Sequence, residues 1–197
     1  LAAVPRQETA VVVTADHGES LGEHDVFYNH VGLYETNLRI PLLIHVPGQP
    51  AGRHAFDVST LDLAPTVAEL FGLGLDNEMR GRSLVSAVAG RPDAALLEGG
   101  PFVAEHAHRQ ALSLQEGDWK LIWQREPAPP LPVGESLYHL GRDPEERRDL
   151  ASDHPERVTA MKRALEAAAG EGDGPAPSRP IDAAEREQLR ALGYVEP

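Results

Sequence analysis

Residues Ala10 to Thr14 read AVVVT, an unbroken apolar and β-branched run that stops abruptly at Ala15-Asp16-His17-Gly18. A run this short, with no polar alternation, predicts a strand buried on both faces. A second run, Ile40 to Val46, ends at the turn signal Pro47-Gly48 and predicts another strand. The stretch between them is rich in His, Glu and Asp. Two buried strands with a polar insertion after the first predict an α/β sheet whose site lies at the strand ends.

Asp16 and His17 follow the first run directly, so a rigid element would fix their backbone. An Asp oxygen and a His nitrogen are a common ligand pair for a divalent cation, and Gly18 lets the chain turn beside such an ion. The same residues also fit a plainer role, with Asp16 capping a short helix and His17 on the surface. On residue types alone, both readings stand.

Further along, Asp62 to Phe71 (DLAPTVAELF) predicts a helix, with Pro65 in its first turn and Gly72 at its end. Arg80 to Leu84 predicts a loop leading to a short helix. From Pro101 the texture changes. Phe102 to Glu105, Ala111 to Leu114, Trp119 to Trp123 and Ser136 to Leu140 are short strand candidates, with Glu116-Gly117-Asp118 as a hairpin turn. Such close succession predicts antiparallel pairing. Pro127 to Pro132 is a Pro-rich loop. Asp153 to Ala169 predicts a helix with Pro155 in its first turn. Gly170 to Pro180 is a Gly/Pro-rich linker, and Asp182 to Leu192 a last amphipathic helix. Trp119 and Trp123, four apart in a strand, share a face and are expected to pack a core.

Composition narrows the function. Eighteen Lys and Arg against 31 Asp and Glu give a formal charge of −13, which disfavours a nucleic-acid partner or an anionic membrane surface. There is no cysteine, so disulfides and thiolate metal sites are excluded within this sequence. No apolar run approaches the roughly 18 residues of a membrane span. The chain opens at Leu1 rather than Met, so the lack of a signal peptide carries no weight; a periplasmic or secreted location is compatible and the compartment stays open.

Several segments, taken in order, resemble the sulfatase family of the alkaline-phosphatase superfamily. They are TADHGESLGEH from Thr14, NHVGLYE from Asn29 and RIPLLIHVPG from Arg39. Then come STLDLAPTVAEL from Ser59, GRSL from Gly81, DWKLI from Asp118, LYHL from Leu137 with Asp143-Pro144, and LRALGYV from Leu189. The resemblance implies the C-terminal part of an alkaline-phosphatase-like α/β/α sandwich, followed by a small antiparallel β-sheet subdomain with C-terminal helices. The expected divisions are 1–98 for the catalytic α/β part, 99–169 for the small subdomain with its helix, and 170–197 for the linker and terminal helix.

The resemblance also implies roles. Asp16 and His17 stand where the family holds one divalent cation, often calcium; the Asp-His form also occurs in related phosphonate and phosphodiester hydrolases that often use manganese. His30 precedes Glu35 by five residues, where many members carry a Lys that contacts the sulfate. A protonated imidazole there would bind a sulfate oxygen or donate a proton to the leaving alcohol. His24 is a candidate to line the substrate pocket, with a plain helix-end histidine as the alternative. Glu19 and Glu23 read as solvated or capping. His106 and His108 share a strand face but have no evident third ligand, while His45, His54, His139 and His154 read as structural or exposed.

The family's nucleophile is a formylglycine made from Cys or Ser in a C/S-x-P-x-R motif. Ser178-Arg179-Pro180 begins like one, but Asp182 stands in the Arg position, so the nucleophile is expected outside these residues, as are two further Asp ligands. The expected parent activity is hydrolysis of a small-molecule or carbohydrate sulfate ester, the chain alone being inactive. Two rival expectations are a phosphodiester or phosphonate monoester hydrolase on the same scaffold, and a non-catalytic member acting as a binding or structural domain.

Overall fold

The computed structural model describes residues 5, 7–74, 79–106 and 110–169. Strand β1 (Val11–Thr14) pairs antiparallel with β4 (Leu42–His45), Val12 opposite Ile44 and Val13 opposite Leu43. Between them lie a short hairpin, β2 (Ser20–Leu21) with β3 (Phe27–Asn29), and a single helical turn, α1 (Glu35–Leu38). Both strands form as expected, but β1 is exposed along its whole length, and Val13 is 52% accessible. The expected burial on both faces is therefore corrected. Leu42 and Ile44 of β4 pack on a small core of Leu84, Ala87 and Leu96. Among the described residues the other neighbours that would cover β1 are absent, because its sheet has only two strands.

The next helix, α2 (Leu63–Leu70), follows a 3-10 turn over Thr60–Asp62 that is closed by a capping box between Ser59 and Asp62. Asp62 is buried, and its carboxylate also accepts the backbone N–H of Arg82 at 2.7 Å. Thr66 Oγ1 accepts the N–H of Leu84 at 2.9 Å. Gly81 passes so close to Leu61 that a Cβ there would lie 2.0 Å from its carbonyl oxygen. The Gly81 to Leu84 segment is thus a backbone lock for α2. Two short helices follow, α3 (Val85–Val88) and α4 (Ala94–Glu98).

A four-stranded antiparallel sheet comes next, in the order β5 (Phe102–His106), β6 (Ala111–Glu116), β7 (Trp119–Gln124), β8 (Gly134–His139). The Gly117-Asp118 turn joins β6 to β7, with Glu116 opposite Trp119. Alternation along the strands splits the sheet into two apolar faces. Leu112, Leu114, Leu121 and Leu137 pack against Met161 and Leu165 of the long helix α5 (Pro155–Ala169), with Trp119 and Trp123 flanking them as expected. Ala111, Ile122 and Tyr138 face the other way, onto Leu33, Tyr34 and Leu38. The sheet therefore sits between α5 and the segment that carries His30. His108, Gly170 to Pro180 and Asp182 to Leu192 lie outside the described residues. No described helix is long and apolar enough to cross a membrane.

Candidate active site

The site grows from the end of β1. Asp16 and His17 come two and three residues after its last residue, and the His17 N–H donates to Asp16 Oδ1 at 3.0 Å. That N–H is the main reason the Asp16 carboxyl is held below its ordinary range. His17 Nδ1 lies 2.8 Å from the carbonyl oxygen of Gly18. A carbonyl can only accept, so Nδ1 carries the hydrogen, and in the neutral ring Nε2 then presents its lone pair. Nε2 in turn stands 3.7 Å from Asp16 Oδ2. A lone pair and a carboxylate oxygen at that separation suit two ligands on one cation, and the Gly18 carbonyl supplies the outer contact that orients a ligating imidazole.

His30 arrives from the other side of the hairpin. Its ring stacks on His17 with centroids 4.2 Å apart and planes 28° apart. His30 Nδ1 is 3.9 Å from Glu19 Oε2. His17, Glu19 and His30 each place one donor atom within 4.8 Å of the others, and all three are exposed. The expected trio of Asp16, His17 and His30 is therefore joined by Glu19, whose expected role was solvated or capping.

His24 falls outside this cluster. It adopts a left-handed backbone at φ 55°, and its ring stacks on Tyr34 with centroids 3.6 Å apart and planes 5° apart. Tyr34 meets Tyr138 edge-on at 6.1 Å, which ties His24 to the four-stranded sheet. Burial pushes the His24 pKa down, against the opposing pull of Glu23.

Beneath the cluster is a buried polar layer. Asn37 and Ser20 are 3% and 0% accessible, and Ser20 Oγ donates to Asn37 Oδ1 at 3.2 Å. Lys120 of β7, also buried, reaches Glu35 of α1 with its ammonium 2.8 Å from Oε1. No local sequence pattern marks these polar residues as buried, because Lys120 and Glu35 lie 85 residues apart.

Known proteins resemble this chain in family and fold. The family model described as Sulfatase matches residues 2–73. The choline-sulfatase of Rhizobium meliloti is 34% identical over 151 residues, covering 73% of this chain and 27% of the relative. The arylsulfatase K of Mus musculus is 30% identical over 171 residues, covering 81% of this chain and 30% of the relative. Among solved structures, a 2-O GAG sulfatase superposes with a TM-score of 0.68 at 25% identity, over 94% of this chain and 38% of that one. The chain thus spans less than a third of the length of these two curated relatives.

Proposed function

Because the chain belongs to the sulfatase family, we propose that it supplies part of the active site of a sulfuric ester hydrolase, with Asp16 and His17 as ligands to one divalent cation and His30 facing the sulfate. One observation carries this reading. Nε2 of His17 lies 3.7 Å from a carboxylate oxygen of Asp16, and the His30 ring is stacked beside it. Ligand and sulfate-facing side chain thus share one exposed surface at the end of β1.

A cation bound there would neutralise sulfate oxygens and the charge that develops on the departing alkoxide. The chain's own residues do the rest. Asp16, ionised well below neutral pH because its carboxyl is held down, brings a fixed negative charge to the cation. Gly18 holds His17 in the tautomer that leaves Nε2 free. His30, protonated, hydrogen-bonds a sulfate oxygen or gives its proton to the leaving alcohol. The nucleophile is assigned to no residue of this sequence. The family resemblance points to calcium, while the Asp-His form, which also occurs in related hydrolases that often use manganese, keeps manganese as the second choice. The substrate class is a small-molecule or carbohydrate sulfate ester, in keeping with relatives named choline-sulfatase, arylsulfatase K and 2-O GAG sulfatase.

The test uses the whole protein that carries these residues. Metal analysis should find about one divalent cation per chain, lost in Asp16→Ala. Turnover of sulfate esters should exceed that of matched phosphonate monoesters and phosphodiesters. Faster turnover of the phosphorus esters would reassign the reaction, and undiminished metal in Asp16→Ala would remove Asp16 from the site.

A further inference from the structure

Asn37 touches no substrate-facing surface, yet its hydrogen bonds run to both halves of the site. Its carbonyl oxygen accepts the N–H of Gly18 at 2.7 Å, and Gly18 stands between His17 and Glu19. Its side-chain Oδ1 accepts from Ser20, the residue after Glu19. Its Nδ2 donates to the carbonyls of Val31 at 3.0 Å and Gly32 at 3.2 Å, the two residues after His30. The amide has two N–H donors, and both are used. Ser20 Oγ also lies 2.9 Å from Thr36 Oγ1, so Ser20 can donate to Asn37 while accepting from Thr36. Gly18 is pressed so tightly onto this turn that a Cβ there would meet Thr36 O at 2.0 Å.

These contacts have a geometric consequence. His17 and Glu19 belong to one segment and His30 to another, and the backbone between them makes a strained excursion, with positive φ at Gly22, His24, Asp25 and Tyr28. Strand pairing sets Ser20 opposite Asn29, but the ladder is short and its register shifts between Ser20 and Leu21, so it constrains the two ends only loosely. The buried Asn37 amide binds both ends from the other side and adds the fixed constraint. We infer that Asn37 is a positioning residue for the His17–Glu19–His30 cluster, setting the separation at which the two imidazoles and the carboxylate can act on one ligand. The inference deepens the proposed function and rests on it for the identity of that ligand, but not for the geometry.

The separation can be read without any ligand. In metal-free protein, the stacked rings of His17 and His30 should give mutual ring-current shifts and a nuclear Overhauser effect between their C–H protons. Asn37→Ser should abolish both. Leu165→Ala, which opens the distant core between α5 and the sheet, should lose comparable thermal stability while keeping both signals. A His17–His30 contact that survives Asn37→Ser, or disappears equally in Leu165→Ala, overturns the inference. If Asn37→Ser does not fold, Ser20→Ala cuts one of the bonds and should weaken the contact; an unchanged contact in Ser20→Ala is then the adverse result. A second arm titrates Mn2+ by its electron paramagnetic resonance signal. Loss of an outer-shell support should weaken affinity about 10–100-fold in Asn37→Ser, against none in Leu165→Ala. Wild-type protein that binds no Mn2+ or Ca2+ counts against the proposed metal role and leaves the ring-contact arm to decide on Asn37.

Discussion

The ammonium of Lys120 lies 2.8 Å from Oε1 of Glu146, and each of these side chains is 1% accessible. The same ammonium bonds Glu35, and the Glu35 N–H donates to the second oxygen of Glu146 at 2.6 Å. One buried cation therefore joins the four-stranded sheet to the start of α1. Removing one partner of a buried pair strands the other charge away from water, at a cost of about 3–5 kcal/mol. Lys120→Met should lower unfolding free energy by that order in urea denaturation. A change below 1 kcal/mol would mean that water reaches the carboxylates.

Glu146 should also mark the pH dependence. Burial pushes its carboxyl above the ordinary value, and Lys120 offsets this only in part. A carboxyl whose pKa is raised on folding favours the folded state most when protonated. Its contribution is full below the unfolded value near 4.5 and is lost as pH rises through the folded value. The stability of wild type minus that of Glu146→Gln should therefore fall as pH climbs from 4 towards 7. Carboxylates remote from Lys120 cancel in this difference; Glu35, which shares the ammonium, contributes to it. A difference that stays flat or rises would reverse the sign assigned to Glu146.

Gly18→Ala tests the close approach under the site. Its Cβ would overlap Thr36 O, so the segment bearing His17 and Glu19 must move away from α1. Overpacking of this kind costs roughly 1–3 kcal/mol. Because Gly18 also donates to Asn37 O, that bond should lengthen and the His17–His30 contact weaken. Thermal denaturation and the same ring-proton contact check both effects together.

What was legible in the sequence followed local rules. The antiparallel strands could be read because apolar residues alternate between α5 and the Leu33–Leu38 segment, and because Gly117-Asp118 is a turn that needs little context. The burial of β1 was not legible, since AVVVT reports that both faces are apolar but not what covers them. Asp16, His17 and His30 could be placed from the end of a strand and from a family resemblance. Glu19, Ser20, Asn37 and Lys120 could not, because their partners lie up to 85 residues away. A polar residue in a four-residue helix looks solvent-facing until the fold brings carbonyls to it.

His30 separates two roles that the geometry brings into contact. As the sulfate-facing cation, it should be dispensable for the metal. As a member of the His17–Glu19–His30 cluster, with donors within 4.8 Å of each other, it would be needed to hold it. In the whole protein, His30→Ala should lower kcat/KM about 10²–10⁴-fold if His30 supplies the proton. The loss should be smaller for aryl sulfates, whose phenolate leaving groups need less protonation than alkoxides. His30→Lys should restore part of the rate, since it returns a positive charge to the same place, though a Lys donates its proton less readily near neutral pH. Metal content should stay level in both variants while Asp16→Ala loses it. Parallel loss of metal and rate in His30→Ala would move His30 into the ligand set, and wild-type rates on an alkyl sulfate would take it out of the chemistry altogether.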